Sequence, residues 1–193
     1  MKTMSWYEFL IEGPEESVRE ALSAIQDEGE KPVLGSDLAL HACSFPERIL
    51  DFLRARTHQI VFVPPSLARE LAHEIEERPE IRLERLCEVV EGRFDFHAET
   101  YSRDMAERIR DAVHGHIPPG VRLEGFEESE LRDPEAKGVE LYTTVHDYTY
   151  KASGRFTGSP PGIFELHQRL RGIDFVKEDE LEMEGREVDL DEL

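Results

Sequence analysis

The chain has 193 residues, 39% of them apolar and 34% charged, so it is long enough to bury a core without disulfide staples. Its 43 acidic residues against 23 basic ones give a formal charge of −20, which repels nucleic-acid phosphates and anionic membrane surfaces, so neither is expected as a partner. No stretch has the length of a membrane span and the first residues carry no apolar leader core, so a cytoplasmic protein is expected.

Eighteen of the basic residues are Arg and five are Lys. That balance fits a salt-rich cytoplasm, where screening blunts self-repulsion, or simply an acidic protein. Cys43 and Cys87 are far apart and match no CxxC pattern. They are read as free thiols in a reducing compartment.

Trp6 to Glu12 reads as a strand, with Tyr7, Phe9 and Ile11 on one face. Gly13-Pro14 ends it and opens a helix whose first turn carries Glu15 and Glu16, at the positive end of the helix dipole. Val18, Ala21, Leu22 and Ile25 then recur at helical spacing. Pro32 to Leu40 reads as extended, interrupted by Gly35-Ser36-Asp37. A helix is expected from Ser44 or Pro46 to Arg56. Gln59 to Val63 is a nearly continuous apolar run, the pattern of a buried strand. Ser66 can cap the helix after it, which carries Leu67, Leu71 and Ile75. Ile81 to Val90 fits either period.

The second half is clearer. Arg93 to Thr100 alternates, with Phe94 and Phe96 on one face and Asp95, His97 and Glu99 on the other. A helix from about Ser102 to His114 follows, then a strand from Val121 to Phe126. A charged connection runs from Ser129 to Gly138, and a long strand is expected from Val139 to Lys151. After Gly158-Ser159-Pro160-Pro161-Gly162, Ile163 to Arg171 reads as a helix and Ile173 to Val176 as a last strand. The order is β-α-β-β-α-β. Two crossover helices on one face of a four-stranded antiparallel sheet make the ferredoxin-like arrangement, an α+β fold that carries no function by itself.

The first half echoes the second at an offset of 87: Tyr7-Glu8-Phe9 falls on Phe94-Asp95-Phe96, Glu12 on Glu99, Val18 on Met105 and Leu22 on Ile109. The N-terminal half is therefore read as a related or mixed α/β unit, 1–80, followed by the ferredoxin-like unit, 81–177. Residues 178–193 hold nine acidic residues and are read as a flexible tail, or as a segment that docks on a basic partner.

His97 stands out among the polar residues because alternation puts it on one face with Asp95 and Glu99, and a carboxylate beside an imidazole can orient it for proton transfer. The same rule groups Tyr142, Thr144, His146, Tyr148 and Tyr150 on one face of the long strand. If that strand lies beside Phe94, His97 and His146 meet on the open side. That yields candidate catalytic residues His97, Glu99 and His146, with Tyr142 and Tyr148 as ligand contacts. Equally, an aromatic open face can pair with a second copy. The stretch from Lys151 to Ser159 reads as a glycine-bearing loop in which Lys151, Arg155 and Ser159, with the next helix N-terminus, can hold an anion. It has neither Walker nor GxGxxG spacing. His41-Ala42-Cys43 and His114-Gly115-His116 complete no tetrahedral ligand set, so no metal site is assigned, and no cofactor is implied.

The leading expectation is a non-catalytic oligomerising or partner-binding protein, a regulatory role included. The alternatives are an enzyme or metal-binding protein using the His, carboxylate and Tyr face, and a binder of a small anionic ligand through the Lys151–Ser159 stretch.

Overall fold

The computed structural model describes residues 5–25, 33–35, 58–132, 138–140 and 143–193. It resolves into two units, Met1–Gly92 together with Glu182–Leu193, and Arg93–Leu181. The division falls at 92/93 rather than 80/81, and the acidic end of the chain belongs to the first unit. The helix expected between 44 and 56, and Ser36, His41 and Cys43, lie outside the described residues.

The first unit runs β1 (Trp6–Glu12), α1 (Glu15–Ala24), β2 (Val33–Gly35), β3 (His58–Val63), α2 (Pro65–Glu76) and the opening part of β4 (Arg82–Thr100). Its strands lie in the order β2-β3-β1-β4, each paired antiparallel to its neighbour. Alternation makes one face of this open sheet apolar: Phe9, Ile11, Val61, Val63 and Leu86 pack with Val18 and Leu22 of α1 and with Leu67, Leu71 and Ile75 of α2. Each such side chain removed from water contributes about 1.5–3 kcal/mol, enough to fix the register, since a slip of one residue would turn the whole set outward. The ambiguous segment 81–90 is strand because β1 pairs with it from Arg82 to Val89.

The chain end is built in rather than frayed. β10 (Glu182–Glu187) pairs with β4, and Met183 is buried while Val188 joins the core of the first unit. Glycine is required at Gly185, where a Cβ would stand 2.0 Å from the carbonyl oxygen of Glu88. Asp189 and Glu192 close the end with a capping box.

The second unit runs from the closing part of β4 through α3 (Arg103–His114), β5 (Val121–Arg132), β8 (Tyr148–Gly158), α4 (Pro160–Arg171) and β9 (Val176–Glu178). Between β5 and β8, β6 (Gly138–Glu140) and β7 (Thr143–Val145) form a separate two-stranded ribbon. The expected strand over 139–151 is therefore interrupted at His146 and Asp147. The strand order is β9-β4-β8-β5. Numbered within each unit, both sheets read 4-1-3-2, so the ferredoxin-like arrangement expected of the second half is also that of the first. Ser102 caps α3 by accepting a hydrogen bond from the Met105 N–H at 3.3 Å. Pro160 and Pro161 open α4, where a missing N–H costs nothing.

Candidate functional site

The site of interest is the face of the second unit turned away from its helices. On β4, Phe94, Phe96, Ala98 and Thr100 are buried, while His97 and Glu99 are exposed and Asp95 is half-buried. The ring of Phe156 packs 5.4 Å from Phe94 and 5.5 Å from Phe96. Gly154 leaves them room: a Cβ there would lie 3.0 Å from the Phe96 ring and 3.1 Å from Leu123, closer than ordinary contact. On β8, Lys151, Ser153 and Arg155 share the open side with His97.

The open face is charged and cross-linked. Arg155 donates two hydrogen bonds to the Asp95 carboxylate, at 2.6 and 3.0 Å, and holds that carboxyl below its ordinary range. Lys151 Nζ stands 3.9 Å from Glu99. The Tyr101 hydroxyl donates to Glu99 Oε1 at 2.9 Å, and the bond to the carboxylate raises the phenol above its usual range. The same Tyr101 ring stacks on His146, centroids 3.6 Å apart and planes 8° from parallel. Tyr101 thus joins two of the three candidate catalytic residues, Glu99 and His146, and the third, His97, shares a cleft with Glu99.

Two clefts meet at His97 and Ser153. One, of about 490 Å³, is lined by Asp95, Glu124, Arg155 and Asp179 as well. The other, of about 370 Å³, also takes in Glu99, Glu127, Glu128 and Lys151. A bulge in β5 between Glu124 and Glu127, with Gly125 at φ +58°, shapes the shared wall. Such a bend re-aims the side chains that flank it.

Several expected contacts lie elsewhere. Tyr148 and Tyr150 are buried on the helix side. Their hydroxyls donate to Glu130 and Glu128, each at 2.8 Å, under the guanidinium groups of Arg103 and Arg110, which lie 5.4 and 4.7 Å from the ring centroids. Burial pushes the Tyr150 phenol up to about 12. Tyr142 lies outside the described residues. Residues 151–158 are strand rather than loop, so Lys151 and Arg155 project onto the open face. Ser159 instead donates toward the Pro119 carbonyl at 3.4 Å, where Gly158, at φ +148°, passes so close to Gly120 that a Cβ would lie 2.1 Å from its oxygen.

Two clusters escape a reading of the sequence. In the second unit, His167 Nε2 of α4 stands 3.0 Å from Glu178 Oε2 of β9, with both side chains largely buried. Burial pushes the Glu178 carboxyl up to about 7. In the first unit, ligand atoms of Glu12, His58 and Glu84 all lie within 4.8 Å of one another. The signal for the second cluster is the register Glu12↔His58, which is visible only once β1 and β3 are paired. Among the described residues, no helix is long and apolar enough to cross a membrane.

No protein-family model and no curated protein sequence matches the chain. Among solved structures it is similar to an unknown protein from Galdieria sulphuraria, at 14% identity over 95% of this chain and 99% of the other, with a TM-score of 0.32. It is also similar to the CRISPR-associated protein Cas6e from Escherichia coli K-12, at 11% identity over 90% and 99% of the two chains, with a TM-score of 0.29. A third is Csf5, a type IV Cas6 crRNA endonuclease, at 10% identity over 80% and 90%, with a TM-score of 0.23. The exclusion of nucleic-acid partners is corrected here: a structure named as a crRNA endonuclease stands among the matches. Net charge is a property of the whole chain and does not rule on one surface of it.

Proposed function

We propose that the protein binds a small, amine-bearing polar molecule on the open face of its second unit and moves a proton on it, with His97 as the proton-transfer group. The observation that carries this reading is the Tyr101 bridge, which stacks on His146 and hydrogen-bonds Glu99 in the cleft that Glu99 shares with His97. Imidazole is the side chain suited to proton transfer near neutral pH, and a carboxylate held in place by a phenol can orient a bound ligand. The charge of the two clefts supports a cationic ligand over an anionic one. Five carboxylates, those of Asp95, Glu99, Glu124, Glu127 and Asp179, belong to residues that line them, against the cations Lys151 and Arg155, while the Glu128 carboxylate is turned to Tyr150 and Arg110.

A partner-binding or oligomerising role without chemistry draws less support. The aromatic surface it relied on is absent from this face at Tyr148 and Tyr150, which are buried. A reducing, cytoplasmic setting fits the buried free thiol of Cys87.

Putrescine and inorganic phosphate, added separately at low salt to isotope-labelled protein, test the reading. Putrescine is expected to shift the imidazole NMR signals of His97 and to raise the melting temperature, and Glu99→Gln to weaken its binding by about tenfold, one broken charge contact of about 1.4 kcal/mol. If phosphate perturbs His97 and putrescine does not, or if neither does, the reading fails.

A further inference from the structure

A second chemical feature lies in the first unit, on the side of its sheet opposite α1 and α2, at the Glu12 end of β1. Glu12 closes β1. Register places it opposite His58 of β3 on one side and opposite Arg82 of β4 on the other. Further along β4 the pairing breaks: Leu10 faces Arg85 and Ile11 faces Leu83, so Glu84 is the extra residue of a bulge. With no residue of β1 opposite it, its carboxylate reaches the Glu12 end. Three strands thereby bring one imidazole nitrogen and two carboxylates within 4.8 Å of one another.

A cation already sits on the two carboxylates. The Arg82 guanidinium donates to Glu12 at 2.6 Å and, through Nε, to Glu84 at 3.0 Å. The anions are the sheltered partners and the cation the exposed one: the Glu12 and Glu84 side chains are about one-fifth exposed whereas that of Arg82 is 63% exposed. Arg82 can swing into solvent without uncovering a core.

We infer that Glu12, His58 and Glu84 form a binding site for one divalent first-row transition-metal ion of the zinc class, for which the Arg82 guanidinium stands in. The donor set selects the ion. Calcium and magnesium prefer all-oxygen shells, and thiolate-seeking ions find no sulfur here, whereas a nitrogen with two carboxylate oxygens suits zinc, cobalt and manganese. Two carboxylates neutralise the ion's double charge. Three protein donors also leave at least one coordination position for water, the pattern of an open rather than a structural site. Arg82 and the metal compete for the same carboxylates, so its removal must tighten metal binding. A merely structural salt bridge gives no such result.

The test uses the full chain without an affinity tag, stripped with chelator and titrated calorimetrically with zinc chloride. One equivalent is expected to bind. Arg82→Gln should tighten that event by threefold or more, and Glu84→Gln should weaken it by tenfold or more. With cobalt in place of zinc, the X-ray absorption spectrum should show one imidazole, lost in His58→Ala. Circular dichroism checks that His58→Ala folds, and if it does not, Glu84→Gln carries the test. The chain has eight histidines, so zinc binding unchanged in the Glu12→Gln/Glu84→Gln double variant would place the metal elsewhere and overturn the inference. An Arg82→Gln variant that binds zinc no more tightly than the parent would overturn it as well.

Discussion

Leu10 and His97 occupy the same place in two copies of one arrangement. Each is the fifth residue of its unit's first strand, with β4 counted from Arg93, 87 positions apart, and each points away from the described helices. In the first unit that side is buried: Leu10, Ile60, Phe62, Cys87 and Val89 are all within 1% of full burial. In the second unit the matching side carries Asp95, His97, Glu99, Lys151 and Arg155. The strand order is the same in both. What differs is which faces carry apolar residues: the first unit buries apolar side chains on both sides of its sheet, and the second leaves one side charged and exposed.

Matched substitutions sharpen this contrast most. Leu10→Ala is expected to cost about 2–5 kcal/mol in denaturant unfolding, as removal of a fully buried leucine does. His97→Ala should change stability by no more than about 0.5 kcal/mol, as at other open surface positions, while losing the putrescine response. Equal costs at the two positions would mean that the second face is as closed as the first.

The next largest effect separates the units by pH. Glu178 has a carboxyl raised from 4.5 to about 7 by burial. Below pH 4.5 it is protonated in both folded and unfolded chains. Between 4.5 and 7 the unfolded chain gives up the proton while the folded one holds it, so stability falls with rising pH, by about 3 kcal/mol in all, and levels off above 7. Subtracting the profile of Glu178→Gln from that of the parent isolates this loss. Hydrogen exchange should locate it in α4 and β9 and leave the first unit unchanged. A difference profile that instead rises with pH would show that His167, 3.0 Å away, holds the carboxylate charged.

A smaller loss of stability than either Leu10 or Glu178 brings concerns the tyrosines that left the open face. Tyr150→Phe removes a hydrogen bond to Glu128, the largest influence keeping that carboxyl below its ordinary range. A cost of about 1 kcal/mol and an upward movement of the Glu128 titration toward 4.5, followed by carbon-detected NMR, are expected.

The architecture was largely legible because alternation and helical spacing are local. Phe94, Phe96 and Ala98 against Asp95, His97 and Glu99 fixed the inner and outer sides of β4, and the offset of 87 pointed to a second unit of the same kind. The tyrosines were misplaced because the parity of a strand depends on where it starts. The break at His146–Asp147 separates Tyr148 from the run before it. The burial of its ring depends on partners in the far half of β5, a stretch so rich in Glu that it reads as a connection. Tyr is also ambiguous by nature, an apolar ring with a polar tip. The Glu12–His58 contact and the His167–Glu178 pair depend on register and on packing across an element, and neither leaves a trace in local spacing. Val188 and Met183 were hidden among nine acids in what looked like a tail.

The return of β10 to the first unit has a consequence for biosynthesis. A ribosome delivers residues 1–92 before the second unit and residues 182–193 after it. Until Met183 and Val188 emerge, one flank of β4 in the earlier unit has no strand against it, so the half that is translated first is finished last. A nascent chain halted at residue 181 would hold a complete second unit and a first unit still open along that edge, the form most exposed to proteases and to unwanted strand pairing.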